Sequence, residues 1–299
     1  MNDVVLSIII VNYNSGKVLL ECINSIKEKK FNFKYEVIIV DNLSTDNSMD
    51  FNCDNCHKIY LKENVGFVKA NNIAFKNSKG KYIYFLNPDT ILLDNKIDEL
   101  INYLEKNEKV GIVAPKVLNP DYSLQHNCRK EPTLRRLAFY LFEIDKIFNN
   151  FKYFTGFKME HENYNSILFP DWVSGAAFII KRDLFEKAGM FDENIFMYWE
   201  DVILCKEVRK LGYKIAFNPV SQIIHYGGVS SRKVKYFSAL SDIKSRYYYF
   251  SKYYSKSYYL FIKIITISNL FLRFIFEFFY GRKDNASNYR KILHQVTRL

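Results

Sequence analysis

Four short apolar runs, separated by segments of helical period or by polar turns, leave this chain few ways to fold. Val4–Val11, Val37–Val40 and Tyr82–Leu86 are rich in β-branched or aromatic residues, and Lys58–Leu61 is a shorter run. Val4–Val11 reads as an interior strand and Tyr82–Leu86 as one buried on both faces, with Val37–Val40 a second strand and Lys58–Leu61 a short third. Between the first two, Val18, Leu19, Cys22, Ile23 and Ile26 recur at helical spacing. A second helix opens at Asn64-Val65-Gly66-Phe67, runs to about Ser78 and has Gly80 as its stop. Strands alternating with helices imply an α/β chain with a doubly wound, parallel sheet and right-handed crossovers. Further on, Lys96–Lys106 predicts a helix, Gly111–Pro115 starts a strand, and Gln222–His225 is a short strand.

Polar loops follow each early strand: Asn12–Ser15, Asp41–Ser48, Asn64–Gly66 and Asn87–Thr90. All fall on the carboxyl edge of the sheet, where open α/β sheets bind ligands. No G-x-G-x-x-G follows the first strand, and no G-x-x-x-x-G-K-[ST] occurs, so this is neither a dinucleotide fingerprint nor a P-loop. Without a glycine cradle, a diphosphate on this edge needs its charge offset in another way. Pro88 cannot donate to a sheet ladder and ends the Tyr82–Leu86 strand. Asp89, displayed just after it, is placed to hold a divalent metal through oxygen. The plainer alternative is that Asp89 caps a helix starting near Leu93. Asp41 has two readings as well, a contact to a base or ribose and a simple Asx-turn.

Residues 119–168 show no regular pattern and read as a binding loop or lid. Order resumes at Asp171-Trp172-Val173-Ser174-Gly175-Ala176-Ala177, whose small residues suit either close approach to a ligand or tight packing. Glu200 and Asp201 precede a stripe of Leu204, Cys205, Val208 and Leu211 and so stand at a helix N-terminus, with Gly212 beyond its end. There they interact with the helix dipole or, framed by Phe196, Tyr198 and Trp199, supply a carboxylate base with a raised pKa. His225, before Gly227-Gly228, is either a metal ligand or a satisfied polar residue.

The chain has 299 residues, 48% of them hydrophobic, enough for one large domain with or without an appendage. Its formal charge of +11 suits anionic lipid, phosphate-bearing ligands or nucleic acid. No recognisable nucleic-acid module is present, and the expectation is no nucleic-acid partner. The start, MNDVVLSIIIVNYN, lacks a basic region and a cleavage site, so it reads as a buried strand and not a signal peptide. Five cysteines in such a chain are expected to be reduced thiols. Cys53-Asp-Asn-Cys56-His57 has zinc-like spacing, but no second Cys/His pair matches it.

The order of the motifs resembles the family 2 glycosyltransferases, and within them the rhamnosyltransferase-like enzymes of bacterial surface polysaccharide assembly. The matching stretches are NYNS at Asn12–Ser15, VDNLSTDNS at Val40–Ser48, NVGFVKANN at Asn64–Asn72 and LNPDT at Leu86–Thr90. They continue with SLQHNCRKEPT at Ser123–Thr133, VSGAAF at Val173–Phe178, GMFDENIFMYWED at Gly189–Asp201 and HYGGVS at His225–Ser230. The resemblance implies a GT-A fold over residues 1–232, with a nucleotide-binding half to about residue 115 and an acceptor-binding half after it. It implies an inverting, metal-dependent transfer from a nucleotide-diphosphate sugar, dTDP-rhamnose or a UDP-sugar, to a glycan hydroxyl in capsule, O-antigen or cell-wall synthesis. By the same resemblance Asn12, Tyr13, Asn14, Asp41, Asn64, Gly66, Asn72, Asn87 and Asp89 line the nucleotide sugar. Asp89 and His225 hold Mg²⁺ or Mn²⁺, Asp201 is the base with Glu200 beside it, and Trp172, Gly175, Ala176 and Trp199 meet the sugars. Three positions depart from the family: Asn87 where Asp is usual, Ala70 for Gly, and Ile203 for the last Asp of E-D-x-D-L. The last of these gives some support to a non-catalytic nucleotide-sugar-binding scaffold.

From Lys233 the character changes. Tyr258–Tyr280 is mostly Phe, Ile and Leu, long enough for a membrane span of about 20 residues. It carries Lys263, Arg273 and Glu277, which are costly in hydrocarbon. Thr266, Asn269, Arg273 and Glu277 fall on one side of a helix. One polar stripe on an apolar helix predicts residues 233–299 to be a membrane-associating appendage lying in the interface. Lys252, Lys256, Arg282 and Lys283 would meet an anionic membrane surface, placing the protein on the cytoplasmic inner face beside a lipid-linked acceptor. The alternative is packing on the catalytic domain or on the second subunit of a homodimer.

Overall fold

A computed structural model of the chain describes residues 4–53, 55–148, 151, 153–228 and 235–299. The first half runs β1 (Leu6–Asn12), α1 (Lys17–Lys27), β2 (Tyr35–Asp41), β3 (Cys56–Tyr60), α2 (Phe67–Lys76), β4 (Tyr82–Leu86), β5 (Thr90–Leu92), α3 (Ile97–Lys106) and β6 (Val110–Leu118). It continues with β7 (Cys128–Arg129), α4 (Leu134–Leu141), α5 (Ile144–Ile147), β8 (Trp172–Val173), β9 (Ala177–Lys181), α6 (Arg182–Lys187), α7 (Glu200–Lys210) and β10 (Lys214–His225). Three helices close it: α8 (Lys235–Tyr253), α9 (Lys256–Phe279) and α10 (Lys283–Val296). The boundary expected at 232/233, and Val229-Ser230 of the last motif, lie outside the described residues.

Eight strands form one sheet in the order β3-β2-β1-β4-β9-β6-β10-β5. It is mixed and mainly parallel, as expected: β9 runs antiparallel between β4 and β6, and β5 lies antiparallel on β10. Apolar runs without alternation follow from burial on both faces. In β1, Ile9 and Val11 join the core that also holds Phe85, Phe178 and Phe185, while Leu6, Ile8 and Ile10 join the one under α1 and α3. All five residues of β4 are buried.

Because β1, β2, β4 and β10 run the same way, Asn12, Asp41, the Asn87–Asp89 turn and His225 all emerge on one edge. No helix begins near Leu93. The chain after Asp89 turns back as β5 and pairs with β10, setting His225 opposite Thr90. Gly80 does not stop α2 either, since the helix ends at Lys76 with Asn77 as its cap. At Gly80 the chain crosses β1 so closely that a Cβ there would collide with the Ser7 nitrogen.

Two further expectations are corrected. Residues 119–168 are not irregular throughout: Thr133 caps α4 by accepting a hydrogen bond from Arg136 N–H, and α5 follows. The aromatic, basic composition masked this period. Cys53 and Cys56 are joined in a disulfide, so only Cys22, Cys128 and Cys205 are free thiols, all buried.

Candidate active site

The turn after β4 is the anchor. Asn87 N–H donates to Ala176 O at 2.9 Å, Thr90 Oγ1 donates to Asn87 O at 2.7 Å, and Tyr226 N–H donates to Asp89 O at 2.9 Å. These bonds fix Asp89, which is 6% exposed, against the end of β10. His225 Nε2 lies 3.3 Å from Asp89 Oδ1 and 3.4 Å from Asn87 Nδ2. The other ring nitrogen, Nδ1, is 2.7 Å from Gln125 Oε1. Gln125 Nε2 donates to Asn119 Oδ1 at 2.9 Å and to His225 O at 3.2 Å, so Oε1 is the acceptor and Nδ1 carries the proton. In the neutral ring the Nε2 lone pair then faces Asp89. A carboxylate and an imidazole at this distance are held together by a proton on Nε2 or by a shared cation, and their O and N donors suit Mg²⁺ or Mn²⁺.

Among the described residues no group of three or more His, Cys, Asp or Glu could hold a metal. The pair agrees with an ion held by one or two protein ligands together with substrate phosphates, the usual habit of Mg²⁺.

The second pole is at the start of α7. Gly175 N–H donates to Asp201 Oδ2 at 2.8 Å, and Val202 N–H to Asp201 Oδ1 at 2.8 Å. Glu200 is 7% exposed, and its Oε2 has no hydrogen-bond partner. Burial raises the pKa of both carboxyls. The negative charge of Asp201 pushes Glu200 further up, while the backbone N–H groups of Gly175 and Val202 pull Asp201 back. Asp201 is therefore the more readily ionised acid and stays partly open to solvent. Ala176 O and Gly175 N–H link the two poles through a single tight turn.

The third group is the nucleotide-edge loop. Asn12 Nδ2 donates to Asp41 Oδ1 at 2.8 Å, Ser44 Oγ at 3.0 Å and Ser48 Oγ at 2.8 Å. Asn14 adopts a left-handed φ of 51°, and its Oδ1 accepts from the N–H groups of Thr45 and Asp46. Tyr13 stands between them, partly exposed. Asn64 Oδ1 accepts from Asn42 Nδ2 and Gly66 N–H. Gly66 has φ 90°, and a Cβ there would stand 2.7 Å from Phe196.

A sequence profile described as "Glycosyl transferase family 2" matches residues 7–165. The chain belongs to this family. It is similar to N-acetylglucosaminyl-diphospho-decaprenol L-rhamnosyltransferase of Mycobacterium tuberculosis, 26% identical over 150 residues, 48% of this chain and 47% of that protein. It is also similar to the low-salt glycan biosynthesis hexosyltransferase Agl10 of Haloferax volcanii, 24% identical over 283 residues, 91% of this chain and 85% of that one. For the mycobacterial relative, the chain spans about half of the protein it matches. Among solved structures, mannosyltransferase PcManGT from Pyrobaculum calidifontis, in complex with GDP-Man and Mn²⁺, superposes with a TM-score of 0.55 at 14% identity. That match covers 98% of this chain and 75% of the other. The fold is GT-A.

Within this family 2 chain, several expected contacts have other partners. Asn72 turns away from the loop edge: its amide bonds Phe191 O, Phe191 N–H and Glu193 Oε1, tying α2 to the segment before α7. Trp199 does not lie over the acids; its Nε1 donates to Asp242 Oδ1 of α8 at 2.9 Å, and its ring packs on Tyr249 and Phe250. Trp172 donates to Lys130 O at 3.0 Å and packs toward Phe157. Ile203, where the family has a second Asp, is 2% exposed in the core, so the departure removes no group from the acid pair's surface. Gln125 lies within SLQHNCRKEPT, yet nothing in that stretch singles it out. It is placed by the return of the chain after β6, where Gln125 N–H donates to Val117 O, and by the pairing of β10 beside β6, which no local pattern announces.

Proposed function

We propose that the protein is an inverting glycosyltransferase that moves a sugar from a nucleoside-diphosphate donor to a hydroxyl of a glycan acceptor. The observation that carries this reading is the joining of two poles by the Gly175-Ala176 turn: the close Asp89–His225 pair and a raised-pKa acid, Asp201. A bound Mg²⁺ or Mn²⁺ would be held by Asp89 and His225 and would offset charge on the departing diphosphate. The Mn²⁺ that accompanies GDP-Man in the mannosyltransferase complex supports a divalent ion.

Asp201 takes the proton of the acceptor hydroxyl as its oxygen bonds to the anomeric carbon and the carbon–diphosphate bond breaks. The Gly175 and Val202 N–H groups orient that carboxylate and favour its ionised form. The Asn12–Asp41–Ser44–Ser48 network holds the loop against which a base and ribose would lie. A deoxyhexose or hexose donor, dTDP-rhamnose or a UDP-sugar, fits the names of the relatives. The decaprenol in the name of the mycobacterial relative supports a lipid-linked acceptor.

The test is release of nucleoside diphosphate from a panel of nucleotide sugars with Mn²⁺. One donor is expected to turn over; Asp201→Asn should keep donor binding and lose turnover, and Asp89→Ala should lose Mn²⁺-dependent binding. Unaltered Mn²⁺-dependent turnover by Asp89→Ala would return Asp89 to a structural turn. Gln125→Leu, which frees the His225 ring, should weaken Mn²⁺ binding in the presence of nucleoside diphosphate by about 10–100-fold.

A further inference from the structure

Helix α9 is built with its polar side inward. Asn269 Nδ2 donates to Leu141 O of α4 at 2.6 Å, Arg273 pairs with Glu143 at 2.9 Å, and Thr266 is 2% exposed. Thr266 and Asn269 of the polar stripe read from the sequence are thus buried against the protein, and half-exposed Arg273 is held by Glu143. On the opposite side, Leu260, Phe261, Ile264, Leu272, Phe276 and Phe279 recur at helical spacing and are 49–80% exposed. A helix on a water-soluble surface shows the reverse arrangement. Ile147, Phe151 and Tyr153 are 61–70% exposed as well. An exposed apolar helix face marks an interaction site.

Charge selects the occupant. Lys256 at one end of α9, Arg282 and Lys283 at the other, and Arg290 and Lys291 on α10 are all exposed, and Asp284 is the one acid of α10. A second copy would bring two like-charged rims and two chains of +11 together. A bilayer with acidic lipids matches both the apolar face and its basic rim. The helix has 24 residues, and an 18-residue stretch of it has a mean hydropathy of 1.7, so length alone permits crossing. Crossing would tear Asn269 and Arg273 from their partners and leave them in hydrocarbon.

We propose that the outer face of α9 docks in the plane of an anionic lipid bilayer. The apolar side chains enter the headgroup boundary while the basic rim meets lipid phosphates. This surface stands whether or not the transferase reading does, because its test needs no turnover.

The full chain is sedimented with vesicles of phosphatidylcholine alone and of equimolar phosphatidylcholine and phosphatidylglycerol. It is expected to bind the mixed vesicles, and to be released by high salt more readily than by dilution. The triple variant Leu272→Ser, Phe276→Ser, Phe279→Ser should bind at least about tenfold more weakly, since each removed side chain forfeits apolar transfer energy. Its melting temperature should be unchanged, and Leu211→Ser, an exposed apolar site elsewhere, should bind as wild type. Indifference of the wild type to anionic vesicles, or undiminished binding by a folded triple variant, overturns the proposal. So does a discrete dimer in size exclusion that the triple variant converts to monomer, which would assign the face to a second copy.

Discussion

Helix α7 carries two carboxyls at its start and, near its far end, packs cations against a third, Glu131, and the two settings are opposites. At its start, Glu200 and Asp201 sit side by side with only backbone N–H donors, and burial raises both. Near its far end, Lys206 and Arg209 close on Glu131. Glu131 also accepts from Tyr249 OH at 2.5 Å and Tyr254 OH at 3.2 Å, and Lys206 Nζ lies 2.5 Å away. Burial alone would raise Glu131, but the hydrogen bonds and charges of Lys206, Tyr249 and Arg209 outweigh it and hold the pKa at about 2. The helix dipole favours the acids at the N-terminus and is overruled there by desolvation. What separates the raised acids at the start of this helix from the depressed one packed near its far end is the close approach of cations.

The strongest break in that comparison is Asp201→Asn, expected to reduce turnover by about 10²–10⁴-fold, the range of a lost general base, while melting stays close to wild type. A comparable loss of fold would make Asp201 structural after all. Next is Glu131→Gln. Solvent reaches part of this cluster and screens it, so the expected loss is on the order of 2 kcal/mol rather than the roughly 3–5 of a fully buried pair. The folded pKa is depressed, so this stability is present above about pH 4.3 and disappears as the pH falls toward 2. Urea midpoints of the wild type should drop across that window, and those of Glu131→Gln should drop less.

Glu200→Gln should show the opposite slope. The native state keeps a proton on Glu200 that the unfolded state releases above about pH 4.3. Wild-type stability therefore falls as the pH rises through that range. The variant should match the wild type near pH 4 and exceed it at about pH 8, and parallel urea curves at the two pH values would sink the idea of a raised Glu200. The smallest effect belongs to Trp199→Phe, which loses the bond to Asp242 and about 1 kcal/mol. Turnover should fall a few-fold with donor affinity unchanged; an altered affinity would place Trp199 at the donor instead.

The strands were legible because burial on both faces writes itself as unbroken apolar runs, as in Tyr82–Leu86. The edge loops followed from the strands, and the motif order singled out Asp89, Asp201 and His225, whose roles are proposals. Long-range register was not legible. That β5 turns back onto β10, bringing Thr90 opposite His225 and Gln125 against its ring, depends on pairing across roughly one hundred residues of sequence or more. Side-chain direction was equally hidden: Trp199 has the composition of a sugar platform, yet Tyr198 and Trp199 take left-handed φ values of 66° and 67°, and its ring goes to α8. The polar stripe of α9 was found, but not the side it faces.

Those two left-handed residues have a consequence for how the chain can be divided. Such conformations cost about 1 kcal/mol each for non-glycine residues, and α8 holds them through Asp242 and through Ser245, which donates to Met197 O at 2.8 Å. Tyr249 and Phe250 of the same helix are 0% exposed. The C-terminal helices are therefore not a detachable module. A chain cut after residue 228 would uncover part of the core and release the segment that leads into Asp201, and neither the lineage nor the laboratory can trim this tail without loosening residues 197–199.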